Sequence, residues 1–116
     1  MHYILSGKVI RGDGYGRKIG FPTANLEVMG QELPEEGVYS GEAMLENKKY
    51  KAGIVIGPKV NNQQKVEAHL IGYEGDAYGK NVTLEINKFL RGYKTFDTEE
   101  ELILQIKKDI KICSQA

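Results

Sequence analysis

The 116-residue chain has one cysteine, no tryptophan, three prolines and no net charge, and each shortage narrows what it can be. A single Cys113 excludes an internal disulfide, and its place near the end of the chain reads as incidental. His2 and His69 stand far apart with no cysteine or second histidine beside either, so zinc-ligand spacing is absent. No apolar run reaches the roughly 20 residues of a helical membrane span. The N-terminus lacks the charged start and long apolar stretch of a secretory leader. These features predict a cytoplasmic protein, a monomer without membrane contact. Sixteen basic residues balance sixteen acidic ones, and the seven tyrosines are dispersed, which argues against nucleic-acid binding. With no repeat or low-complexity linker, residues 1–116 read as one domain.

What the chain does have is glycine. Residues 12–25 read GDGYGRKIGFPTAN, with Gly12, Gly14, Gly16 and Gly20 around the cations Arg17 and Lys18. Glycines let backbone N–H groups approach an anion, and adjacent cations neutralise phosphate charge. The segment then stiffens at Phe21-Pro22 and presents two oxygen-bearing side chains, Thr23 and Asn25. At i, i+2 on extended backbone they point to one side, and such hard oxygens suit Mg2+ that also holds phosphate. A flexible turn with solvated cations would also be Gly-rich, but it has no use for proline at that point. The segment matches neither known phosphate pattern. Lys18 follows Arg17 and not a glycine, and both Gly-x-Gly frames meet Arg17 or Ile19 where the third glycine belongs.

The rest of the chain alternates. Segments 2–11, 38–45, 50–56, 65–73 and 82–90 read as strands, with Tyr39, Ala43 and Leu45, then Val66, Ala68 and Leu70, then Val82, Leu84 and Ile86 on single faces. Asn47-Lys48 reads as a hairpin turn, and Gly57-Pro58 and Gly75-Asp76 as breaks. After residue 97 the period changes. Thr98 and Glu101 form a capping box ahead of Leu102, Ile103, Ile106 and Ile110 at helical spacing, with Lys107, Lys108 and Lys111 towards the C-terminal end. The prediction is a mainly β fold: a six-stranded antiparallel Greek-key-type barrel with a C-terminal α-helix packed on it. Within it, Glu67 is either a solvent-facing strand residue or an acid with a task, and Arg91 either a surface arginine or a ligand contact.

Several ordered motifs then resemble one family. Gly20-Phe21-Pro22-Thr23-Ala24-Asn25 is similar to the signature of riboflavin kinases (flavokinases). Gly37-Val38-Tyr39, Val66-Glu67-Ala68-His69-Leu70, Asp76-Ala77-Tyr78-Gly79, Leu90-Arg91 and Phe96-Asp97 resemble the motifs that follow it. The resemblance implies transfer of phosphate from ATP to the terminal ribityl hydroxyl of riboflavin, giving FMN and ADP. It implies Glu67 as catalytic base and Thr23 and Asn25 as holders of Mg2+ and phosphates. It also implies Gly12, Gly14, Arg17, Lys18, Gly20, Phe21 and Pro22 as a nucleotide loop that closes over ATP, and Arg91 beside the flavin, in a slot near the barrel mouth and the terminal helix. The chain departs from the family at Ile56-Gly57-Pro58-Lys59-Val60, which is two residues short and carries Lys59 where threonine is common, and at Tyr93-Lys94-Thr95, where a charged run is usual. The competing expectation is a catalytically weak or inactive flavin- or nucleotide-binding sensor on the same fold.

Overall fold

A computed structural model describes residues 3–116; His2, in the first predicted strand, lies outside the described residues. Six strands and two helices follow one another: β1 (Tyr3–Ile10), α1 (Tyr15–Lys18), β2 (Ala24–Glu27), β3 (Gly37–Leu45), β4 (Lys48–Ile56), β5 (Val66–Leu70), β6 (Asn81–Arg91) and α2 (Glu99–Gln115). The strands close into an antiparallel barrel in the order β1-β2-β5-β4-β3-β6. Consecutive strands β3, β4 and β5 are neighbours, and β6 returns beside β3, which is the Greek-key arrangement.

Alternation decides which residues fill the barrel. Leu5 and Val9, Leu26, Tyr39, Ala43 and Leu45, Ala52, Ile54 and Ile56, Val66 and Ala68, and Val82, Leu84 and Ile86 all point inward and are buried. Each large aliphatic among them contributes about 1.5–3 kcal/mol on leaving water. The interior is therefore packed with side chains, and function is left to the rim and the outer wall.

Four expectations shift. The β3–β4 turn is Glu46-Asn47, one residue earlier than predicted, because both central residues take left-handed φ values of 52° and 64° and Leu45 pairs with Lys48. The strand expected over 65–73 ends at Leu70, where the Tyr73 amide turns back to the Leu70 carbonyl at 3.2 Å and Gly72 takes φ 87°. In the glycine segment, Tyr15–Lys18 forms a helical turn that starts from a left-handed Gly14 with φ 74°.

The fourth shift concerns α2. Thr98 caps it as expected, its hydroxyl accepting the Glu101 amide at 3.1 Å. The helix continues to Gln115, so its last turn holds no basic residue. Its most buried positions are Asp109 and Cys113 rather than the all-aliphatic stripe. Cys113 is an anchor and not a bystander. It is wholly buried and faces Gly53 on β4. The Lys51 ammonium donates to the carbonyls of Ser114 and Ala116, at 3.0 and 2.7 Å, and holds the C-terminal end.

Candidate functional site

The site grows from the register of the outer wall. Asn25 on β2 lies directly opposite Glu67 on β5, and Glu67 lies opposite Val55 on β4. Val55 is opposite Val38 on β3, and Val38 is opposite Arg91 on β6. Side chains directly opposed on antiparallel strands share a face. One lateral row therefore runs Asn25, Glu67, Val55, Val38, Arg91 across the outside of the barrel. A polar end with a carboxylate is joined by two valines to a guanidinium. A β-bulge between Val38 and Tyr39 brings Arg91 into the row.

Thr23 precedes Asn25 by two residues and completes the oxygen pair. The glycine segment lies over it. A Cβ on Gly12 would stand 2.3 Å from Asn25 Nδ2, and one on Gly16 would stand 2.6 Å from the Phe21 carbonyl oxygen and 3.5 Å from Thr23 Oγ1. Neither glycine has room for a side chain, so only glycine lets the segment's backbone pack this closely against the oxygen pair. The hard-oxygen chemistry of Thr23 and Asn25 fits a small divalent cation.

Gly12, Gly14, Gly16, Arg17, Pro22, Thr23 and Asn25 line a cleft at the barrel mouth, faced by Asp76, Ala77 and Tyr78 from the β5–β6 connection. The Arg11 guanidinium stacks 4.0 Å from the Tyr78 ring centre on that far wall. Arg17 is exposed and, among the described residues, makes no salt bridge, so its charge is available to an anion. The enclosed volume is about 140 Å³. Small-molecule pockets are usually ~300–1,000 Å³, so a nucleotide seated here reaches solvent unless α1 moves over it.

Not every residue singled out in the sequence lines this cleft. Lys18, Gly20 and Phe21 lie outside its lining, and Glu67 adjoins it through Asn25. Glu67 is half-buried, and its pKa is raised above the usual glutamate value. Burial is the main cause, the nearby Asp13 carboxylate adds to it, and Lys65 partly offsets it. Arg91 is engaged with α2. Its Nη2 and Nε donate to the Asp109 carboxylate at 2.9 to 3.3 Å, and Gln105 donates to the same carboxylate at 3.0 Å. The guanidinium thus fixes the helix over the β6 end and stands 5.8 Å from the Phe96 ring.

Four participants escaped the sequence reading: Asp13, Tyr15, His69 and Asp109. Asp13 accepts the Tyr15 amide at 3.0 Å and starts the α1 turn. The Tyr15 phenol has a raised pKa, through desolvation first and then the Glu99 carboxylate beside it, so α1 meets the start of α2. His69 accompanies Glu67 on the outer face of β5 and bonds the Pro22 carbonyl. A polar residue two positions from Glu67 on the same strand face was the one available signal for His69.

The short 56–60 segment is compact. The Gly57 amide donates to the Lys65 carbonyl at 2.9 Å, Val60 bridges Gln63, and the Gln64 amide donates to the Gly57 carbonyl at 3.0 Å. The connection closes on itself one residue away from the Val66–Glu67 step.

Comparison with known proteins adds identity to this geometry. The chain is 35% identical over 111 residues to the bifunctional riboflavin kinase/FMN adenylyltransferase of Escherichia coli (strain K12), a match covering 92% of this chain and 36% of that protein. It is 34% identical over 114 residues to the protein of the same name from Bacillus subtilis (strain 168), again over 92% of this chain and 36% of the relative. The chain thus spans about a third of the length of these curated relatives. Its fold is similar to riboflavin kinase from Trypanosoma brucei, with TM-score 0.76, 22% identity, and coverage of 98% of this chain and 76% of that one. The family model described as Flavokinase: Riboflavin kinase matches residues 1–116, and the chain belongs to that family.

Proposed function

We propose that this domain transfers the γ-phosphoryl group of ATP to the terminal ribityl hydroxyl of riboflavin, giving FMN and ADP. The observation that carries the reading is the direct cross-strand pairing of Asn25 with Glu67, with the glycine segment packed against Asn25 and Thr23. It sets the two oxygen donors beside a carboxylate of raised pKa in a chain of the riboflavin kinase family.

In this reading Thr23 and Asn25 hold Mg2+, which when bound neutralises charge on the β- and γ-phosphates. Arg17 and the α1 backbone add to that neutralisation, and α1 moves over the nucleotide to exclude water. Beyond Glu67 the row continues through the half-buried Val55 to the buried Val38, and its exposed part offers the flavin ring an apolar edge beside α2. The packed barrel interior has no space for that ring. The Glu67 carboxylate accepts the proton of the ribityl hydroxyl. The freed oxygen bonds to the γ-phosphorus, and the bond from that phosphorus to the β,γ-bridging oxygen breaks to release ADP. Positioning and charge stabilisation supply most of the rate in such transfers. Use of ATP suits a cytoplasmic location, which we assign to it together with a monomeric state.

The test is FMN formation from riboflavin, ATP and Mg2+, followed by chromatography. Glu67→Gln is expected to lower kcat by about 10²–10⁴-fold while ADP binding persists. Parent-like turnover in that variant removes Glu67 from the role of base. The compact Gly57–Lys65 connection beside Glu67 favours one competing reading, a flavin- or nucleotide-binding sensor. Binding of both ligands by the parent protein without turnover would establish it.

A further inference from the structure

His69 lies next to the oxygen pair and has no task in the reaction scheme. Its Nδ1 lies 2.7 Å from the Pro22 carbonyl oxygen, 47 residues away in sequence. A carbonyl only accepts, so Nδ1 carries the proton and donates. The ring also meets Phe21 edge-on, with centroids 6.2 Å apart at 69°.

The register gives this contact its meaning. Asn25 pairs with Glu67 and Ala24 with Ala68, and there the ladder ends, one residue short of Thr23. Beyond it, strand β5 reaches the threonine only through the bond of His69 to the Pro22 carbonyl. Asn25 is held by ladder pairing on both sides, to Ile10 and to Glu67. Thr23 precedes the strand and lacks that support. The Pro22 carbonyl belongs to the peptide unit that carries the Thr23 amide, so a donor on that oxygen fixes the plane from which the threonine side chain springs. From the other side the Phe21 amide donates to the Gly16 carbonyl at 2.7 Å.

We propose that His69 is a positioning residue that orients the Pro22–Thr23 peptide and thereby holds the Thr23 hydroxyl in register with Asn25 for Mg2+-bound nucleotide. The claim rests on the reading of Thr23 and Asn25 as a metal seat. It gives His69 no contact with substrate and no part in proton transfer.

Three substitutions separate the hydrogen bond from bulk. His69→Ala removes donor and ring. His69→Phe keeps a ring against Phe21 without the donor. His69→Asn places an amide N–H close to where Nδ1 stood. Calorimetry with ADP, with and without Mg2+, reads the seat directly, and FMN formation reads kcat and KM. The expected result is about a tenfold loss of Mg2+-dependent ADP affinity in His69→Ala and His69→Phe, the scale for removing a partner that orients a metal ligand. The KM for Mg·ATP should rise in parallel while the KM for riboflavin stays within about twofold, and His69→Asn should recover most of the loss. Equal impairment of Asn and Phe variants, loss of ADP affinity without Mg2+, or parent-like behaviour of all three overturns the proposal. So does a parent protein whose ADP affinity ignores Mg2+. A parent that binds Mg·ADP but forms no FMN defeats the kinase reading alone, and the binding contrast still decides the role of His69.

Discussion

Glu67 shows how one carboxylate is prepared by its surroundings. It sits among Asn25, Val55 and Asp13, half out of water, and each protonation step there favours the neutral acid more than it would in solution. In the proposed transfer Glu67 is the base and must be ionised to accept a proton, so kcat/KM is expected to rise with pH through the Glu67 pKa. Asp13 raises that pKa by like charge. Asp13→Asn removes the charge, lowers the Glu67 pKa and moves the acid limb of the kcat/KM profile to lower pH. Its amide side chain retains an oxygen to accept the Tyr15 amide, so the α1 turn persists. A limb that stays in place, or moves to higher pH, would show that Asp13 does not govern Glu67. None of this was visible along the chain. Asp13 and Glu67 are 54 positions apart, and the field between them exists only because the glycine segment folds back over β2 and β5.

At the scale of elements, what could be read in the sequence was whatever local periodicity or capping controls. Val82, Leu84 and Ile86 gave β6, and Thr98 with Glu101 gave the start of α2, because a two-residue period and a cap need no distant partner. The proposed donors Thr23 and Asn25 were singled out for the same reason, as side chains two apart on extended backbone. Pairing was not legible. That Asn25 meets Glu67, and that Val55 and Val38 join Glu67 to Arg91, follows from strand order and register around a closed barrel. Apolar spacing marked the half-buried Leu102, Ile103, Ile106 and Ile110 but not the most buried positions of α2, which include the charged Asp109. Asp109 is buried because it is paired. Arg91 meets it with two donors, and Gln105 adds a third. Asp109→Asn leaves the mostly enclosed guanidinium without its counter-charge. The expected cost is about 2 kcal/mol, between an exposed pair and a fully buried one, measured by urea denaturation. A change below ~0.5 kcal/mol would place the clamp among surface pairs of little consequence.

For the whole molecule, barrel and helix differ in how they are held. The barrel closes its own edges and buries a continuous set of aliphatic side chains, whereas α2 rests on β3 and β4 through half-buried residues, the Arg91–Asp109 clamp and Cys113. A part attached by fewer buried groups opens at lower free energy than the whole. Cys113 reports that opening. It is fully buried against Gly53, and burial chiefly, with Asp109 adding, pushes its thiol pKa up to about 11. In the docked state at pH 8 roughly one thiol in a thousand is ionised, and that one is out of reach of an alkylating reagent. Labelling by iodoacetamide therefore requires α2 to leave the barrel. If the helix undocks alone, the labelling rate depends on urea more weakly than global unfolding does, because less surface is exposed. Asp109→Asn should then speed labelling at zero urea while the far-ultraviolet signal of the barrel holds. A urea slope equal to that of global unfolding would mean that helix and barrel open as one body. Undocking would also carry away the wall beside Val55 and Val38, so riboflavin bound there should slow the labelling of Cys113, and a flavin site elsewhere on the barrel would leave it unchanged.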